Sequence, residues 1–338
     1  MIRVLGIETS CDDTCISIYD DKKGIILNTN INQNKIHHKY DGIVPNLASD
    51  KHINNIYKIF KKNKINFKKI SLIAYTNGPG LFGSLITGVY IGKSLAYSLN
   101  IPSIPINHIE AHMISPMINN KNIKFPLIGL IISGGHTELI RSYKIGKYKI
   151  IGKTLDNSLG QTFDKVAKIL NIKFPGSKII SKISKYGKLG KYKFPKPLIN
   201  SKDLNFSFSG LKTHIYYLIK NNKNITIQDR FDISREFENS IINILINKSI
   251  KALNKYKINT LLISGGVSKN ENIIKSLRKN INKKINIYYP KKKIRTDNSI
   301  MIAYLGYIKF FKNKKEIYYK YLNNLSIIIN SKCSINNI

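Results

Sequence analysis

Short apolar runs that end in polar or glycine-rich turns organise this chain. The run "RVLGIE" passes through "TSCDDT" into "CISIYD", so the first twenty residues predict strand, turn, strand. The same plan returns mid-chain, where "FPLIGLIIS" meets "GGHT" and continues into "ELIRSYK". A third apolar run, "TLLIS", leads through "GGVSKN" into the helix-like "ENIIKSLRKNI". A repeat of this kind suggests two related α/β lobes whose turns face a shared cleft. Helical spacing of apolar residues predicts an amphipathic helix in "SREFENSIINILINKSIKAL" and a buried one in "TDNSIMIAYLGYIKF", which opens on a polar turn holding Asp297. In "YTNGPGLFGSLITGVYIGKSLAYSL", Gly78, Pro79 and Gly80 predict a tight turn. Gly83, Gly88 and Gly92 follow it as the small residues of a closely packed helix. "YGKLGKYKFPKP" reads as a loop, and the last eight residues, rich in Ser and Asn, are expected to fray.

The stretch "NHIEAHMISP" sets two histidines four residues apart. Asn107 is a good N-cap and Pro116 a good stop, so a short helix fits between them. At about 100° per residue, His108 and His112 share one face and both imidazoles can reach one ion. Glu110 lies on the far side. A zinc protease needs its glutamate directly after the first histidine, to act as base for the metal-bound water. Here it falls one residue late, at the position where a capping box bonds back to the cap amide. From spacing alone, the histidines read either as metal ligands or as two polar residues on a partly exposed helix.

At 338 residues the chain is long enough for a large core, and such lengths usually divide into two lobes. The N-terminus lacks the order of a signal peptide, and no apolar run approaches the ~20 residues needed to cross a bilayer. The expectation is a soluble cytoplasmic protein with no membrane partner. Cys11, Cys15 and Cys333 offer no C-x-x-C pair, which argues against a disulfide framework or a zinc–thiolate site. The formal charge of +37 is compatible with an RNA partner. It does not establish one, because lysine supplies nearly all of it and arginine, the better bidentate phosphate ligand, only a handful of residues. A genome biased toward A and T would produce the same skew.

Glycine turns let backbone amides approach phosphate, and three of them, each joined to an apolar strand, make a phosphate-binding reading reasonable. Asp12 and Asp13 of the first turn read either as contacts to a phosphate-bound metal or water, or as turn-forming side chains. "GVYIGKS" has only three residues between its glycines and no preceding strand, so it is not a P-loop. "SGLK" at 209–212 imitates the S-x-x-K of serine acyl-enzymes without their companion motifs. A helix start capped by Ser209 is the simpler reading.

The motifs "GIETSCDDT", "IVPNLAS", "YTNGPGLFGSL", "HIEAH", "ISGGHTEL", "FDKVAK", "FSFSGLKT", "SGGVSKN" and "TDNSIMIAY" occur in one order along nearly the whole chain. In this the chain resembles the TsaD family, the tRNA adenosine threonylcarbamoyltransferases once described as O-sialoglycoprotein endopeptidases. The resemblance implies a two-lobed actin-like, sugar-kinase-like ATPase (ASKHA) fold of α/β class with duplicated lobes. It implies transfer of threonylcarbamoyl from threonylcarbamoyl-AMP to the N6 amine of the adenosine at position 37, 3′ of the anticodon, in tRNAs reading codons that begin with A. By position, His108, His112 and Asp297 match the ligands of one divalent metal per subunit, Fe2+ or Zn2+. Ile131, Ile132, Ser133, Gly134 and Gly135 match the substrate loop, and Asp164, Gly176, Ser177 and Asn270 match further substrate or nucleotide contacts. Asp12 is the candidate for catalysis beyond the metal. The adenine nucleotide is threonylcarbamoyl-AMP, with ATP as a further candidate; the implied partners are tRNA, a TsaB-type paralogue and a TsaE-type P-loop ATPase.

The expected lobes are residues 1–107 with about 298–330, then 108–297 carrying the metal helix and substrate loops, then a frayed tail at 331–338. The chain departs from the family pattern at Pro175-Gly176-Ser177-Lys178, where P-G-G-P is usual, and at Gln161, Asn46 and Asp13, where glutamate is usual. The competing readings are a metalloprotease, a small-molecule kinase of the same fold class, and a non-catalytic scaffold.

Overall fold

The computed structural model describes residues 1–40, 42–120, 122–172, 176–222 and 224–338, and Pro175 of the expected substrate turn lies outside them. The chain divides into two compact units, residues 1–118 with 297–338 (unit 1) and residues 119–296 (unit 2). Residues 108–118 and Asp297, assigned above to the second lobe, therefore belong to unit 1. The helix His108–Ile114 follows directly on the last strand of that unit's sheet, so it stays with the sheet it caps.

Unit 1 is built on a sheet of β1 (Arg3–Glu8), β2 (Thr14–Asp20), β3 (Gly24–Ile31), β4 (Leu72–Gly78) and β5 (Ser103–Asn107), in the order β3-β2-β1-β4-β5. The first three strands pair antiparallel and the last three parallel. Residue type sets the order: β2 is buried along its whole length and sits inside, whereas β3 mixes exposed and half-buried positions and lies at the edge. The buried helix expected after Asp297 is present as Ser299–Lys312 and packs on β1, β2 and β4. Its backbone approaches so closely that a Cβ on Gly6 would stand 2.3 Å from the Ser299 carbonyl oxygen. The stretch rejected as a P-loop lies within the helix Phe82–Ser98.

Unit 2 repeats the plan with β6 (Leu127–Ile132), β7 (Thr137–Lys144), β8 (Lys147–Lys153), β9 (Thr260–Ser264) and β10 (Asn286–Tyr288), in the order β10-β9-β6-β7-β8. Read from the other edge, this is the order and sense of unit 1: three antiparallel strands, then two added in parallel. The repeated strand–turn–strand pattern of the sequence is thus a repeated sheet. Its core holds Phe163, Phe206, Phe208 and Phe237 with the apolar face of the helix Ile227–Tyr256. Burying a side chain of this size stabilises by about 1.5–3 kcal/mol. That helix is longer than the amphipathic stretch read from the sequence, because Thr226 caps it in a capping box with Asp229.

Two local expectations change. The helix at 209–221 starts at Ser209, but Ser209 does not cap it. The Asp156 carboxylate does, taking the amides of Phe208 at 3.0 Å and Ser209 at 3.1 Å. The tail 331–338 does not fray. Asn330 N donates to Asn77 O at 2.9 Å, Gly80 N donates to Ser331 O at 3.1 Å, and Ile335 is buried. The polar Ser/Asn composition hid this segment, since its docking runs through the backbone and two side chains, Ile335 and Cys333.

Candidate metal centre

The carboxyl ends of adjacent parallel strands are where α/β sheets place their chemistry. In unit 1, β1 ends at Glu8, β4 carries Thr76 near its end, and β5 runs directly into the helix that begins at His108. Asn107 caps that helix as the sequence predicts, its side-chain oxygen accepting Glu110 N at 3.0 Å. The Asn107 amide nitrogen lies 3.1 Å from Cys333 Sγ, so the docked tail steadies the cap. The Glu110 carboxylate, fully buried, receives Lys309 Nζ at 2.6 Å. An anion so engaged is not placed to activate water.

The helix His108–Ile114 brings both imidazoles to one face, and Asp297, at the entry to the helix Ser299–Lys312, meets them. His112 Nε2 lies 3.0 Å and His108 Nε2 3.8 Å from Asp297 Oδ1. One ligand atom from each of the three residues falls within 4.8 Å of the others. Both histidines are buried, while the Asp297 side chain is 26% exposed. All three belong to unit 1, so the triad is assembled within one body. Two imidazoles and a carboxylate form a donor set that suits Fe2+ or Zn2+ and leaves coordination positions open.

Behind His108 stands Glu8, which sequence reasoning did not single out. Its Oε2 lies 2.9 Å from His108 Nδ1 and accepts Thr76 Oγ at 2.6 Å, while Oε1 accepts Ser10 N at 2.6 Å. An acidic residue closing an otherwise apolar buried strand was the available signal. Burial pushes the Glu8 carboxyl up, but the charge and hydrogen bond of His108 outweigh it and hold Glu8 below its ordinary value. Burial pulls His108 down, yet the Glu8 and Asp297 carboxylates push it up to about 9, so an ion at this imidazole must displace a proton. Asp12 is raised by burial and then by the charge of Asp297.

The expected substrate residues gather in unit 2. β6 and β9 are parallel neighbours with Ile131 opposite Ser264, so the turns after them emerge side by side. Ile131 and Ile132 are core side chains of β6 and offer only backbone to a ligand. Ser133 closes its turn by accepting His136 N at 3.0 Å, and Gly134 and Gly135 are exposed. Gly160, in the first turn of the helix Leu159–Ile169, packs on that turn, and a Cβ there would stand 2.7 Å from Gly134 Cα. Further along this helix, Asp164 Oδ1 accepts Gly176 N at 2.8 Å and the carboxylate also takes the Ser177 amide, which fixes the start of the helix Gly176–Ile183. Asn270 caps the helix Glu271–Asn280 and donates to Glu238 at 2.6 Å. Asp164 and Asn270 thus have structural hydrogen bonds already. Of the departures, Gln161 completes a capping box with Ser158, which glutamine forms as well as glutamate. Lys178 and Asn46 are exposed.

The model of the family described as tRNA N6-adenosine threonylcarbamoyltransferase matches residues 24–304. A relative of that name from Wigglesworthia glossinidia brevipalpis is 50% identical over 341 residues, covering 99% of this chain and 98% of the relative. Another, from Buchnera aphidicola subsp. Baizongia pistaciae, is 45% identical over 344 residues, with coverage of 99% and 98%. Among solved structures, HypF of T. kodakarensis aligns with a TM-score of 0.63 at 14% identity, over 91% of this chain and 48% of that one. The activator of the 2-hydroxyisocaproyl-CoA dehydratase from Clostridium difficile aligns with a TM-score of 0.54 at 13% identity, over 96% and 100%. At such identities the solved structures speak to fold alone, and the fold is the two-lobed ASKHA type. Among the described residues, no helix is long and apolar enough to cross a membrane. With matches over nearly its full length, the chain belongs to the family of tRNA N6-adenosine threonylcarbamoyltransferases, acyltransferases that modify tRNA.

Proposed function

We propose that the acyl donor is threonylcarbamoyl-AMP and that the acceptor is the N6 amine of adenosine 37 in tRNAs reading codons that begin with A. A C–N bond forms between that amine and the carbamoyl carbon, the bond from that carbon to the phosphate oxygen breaks, AMP leaves, and the amine loses one proton. His108, His112 and Asp297 would hold one Fe2+ or Zn2+; when bound, such an ion polarises the donor's carbonyl as a Lewis acid. The observation that carries the reading is the convergence of these three side chains in a chain of this family.

Asp12, a largely buried carboxylate of the first turn, is the group we assign to accept the proton the amine loses. The exposed amides of the Gly134–Gly135 turn are the groups we assign to the adenylate phosphate, with Asp164, Gly176, Ser177 and Asn270 shaping the surroundings of the nucleotide, whether threonylcarbamoyl-AMP or ATP. Because the donor is already an activated anhydride, positioning supplies most of the acceleration. The nucleophile is the tRNA amine, so no acyl-enzyme forms. We assign the protein to the cytoplasm, working with a TsaB-type paralogue and a TsaE-type ATPase.

Incubating the protein with threonylcarbamoyl-AMP and unmodified tRNA, adding the two partner proteins in a second arm, and weighing the nucleosides by mass spectrometry tests the reading. Adenosine heavier by one threonylcarbamoyl group, confined to position 37, is the expected product. An unchanged nucleoside profile in both arms overturns it.

A further inference from the structure

We propose that Glu8 is a positioning residue of the metal centre, holding His108 in the Nδ1–H tautomer so that Nε2 presents its lone pair to the ion. The inference rests on reading the triad as a metal site. Its basis is the ring's two ends: Nδ1 faces Glu8 Oε2 at 2.9 Å, while Nε2 faces Asp297 Oδ1 at 3.8 Å. The carboxylate cannot turn away, because Oε1 is held by the Ser10 amide and Oε2 by the Thr76 hydroxyl, both at 2.6 Å. Ser10 Oγ stands 3.3 Å from the same His108 nitrogen and closes the pocket around it. Glu8 is fully buried, shut off from bulk solvent. An outer carboxylate of this kind fixes the ring and raises the basicity of the ligating nitrogen.

Glu8→Gln keeps shape and volume and reverses the hydrogen bonding. The Ser10 amide can only donate, so the glutamine oxygen must face it and the NH2 group must face Thr76 and His108. The Thr76 hydroxyl can rotate to accept. His108 must then accept at Nδ1 and carry its proton on Nε2, the nitrogen meant for the metal.

Zinc affinity of the full chain, measured by competition with a chromophoric chelator, is expected to fall about 10–100-fold in Glu8→Gln. In a His108→Ala background the same change is expected to cost less than about threefold, since the imidazole through which Glu8 acts is gone. Side-chain 15N spectra of the zinc-loaded wild type, which need no variant to fold, should show His108 protonated at Nδ1. The inference is overturned by equal zinc binding in wild type and Glu8→Gln, by an undiminished loss in the His108→Ala background, or by a proton on Nε2. A wild type that binds neither zinc nor ferrous iron sinks the metal reading as well, which separates the two failures.

Discussion

Glu138 lies on β7 opposite Lys153 of β8 and beside Ile131 of the strand that feeds the glycine turn. Burial pushes its carboxyl up, only partly countered by Lys153, to about 7 from an ordinary 4.5. In the unfolded chain the proton leaves near 4.5, so between 4.5 and about 7 the folded state holds a proton that the unfolded state has lost. The stability contributed by this group is complete below 4.5 and declines as pH rises to about 7. Glu138→Gln is therefore expected to melt at the same temperature as wild type near pH 4.5 and several degrees above it at pH 8. Calorimetric scans at the two pH values check this, and an equal offset at both would contradict it.

Among the elements, helices are set by how closely their first turns approach the strand ends. The first turn of Leu159–Ile169 lies so close to the Ser133–Gly134 backbone that Gly160→Ala must displace one of them, its Cβ falling 2.8 Å from the Ser133 carbonyl oxygen. Misplacement, by a fraction of an ångström, of the turn proposed to hold the adenylate is expected to raise the KM for threonylcarbamoyl-AMP by about tenfold or more. Zinc affinity should stay unchanged, because the triad belongs to unit 1. Kinetics and metal titration on one preparation separate the two, and a loss of zinc affinity alongside the raised KM would speak for general unfolding.

These close approaches also show where sequence reading stops. Asn107, His108 and His112 were legible because capping and helical spacing are local rules. The Glu8–His108 contact spans 100 residues and the Asp156 cap on Ser209 spans 53, and no local pattern joins such pairs. The metal role of Asp297 was reached by resemblance; the helix that follows it was legible from its apolar spacing, but its seat against β1, in the room that Gly6 leaves, was not.

At the scale of the molecule, two sheets of the same order and sense account for the repeated strand–turn–strand motifs, and the acyltransferase family accounts for their sequence order. The boundary of the units at 118/119 and the docked tail were hidden, the first because the metal helix follows its strand without a linker, the second because its polar composition resembled a frayed end. On the proposed reading, an ion held by His108, His112 and Asp297 is required for transfer. The His108→Ala/His112→Ala variant, freed of metal and confirmed so by elemental mass spectrometry, tests it directly against unmodified tRNA. Wild type is predicted to carry one ion per chain and to modify the tRNA, and the variant to carry none and leave the tRNA unmodified. Transfer at the wild-type rate by the metal-free variant would contradict the account.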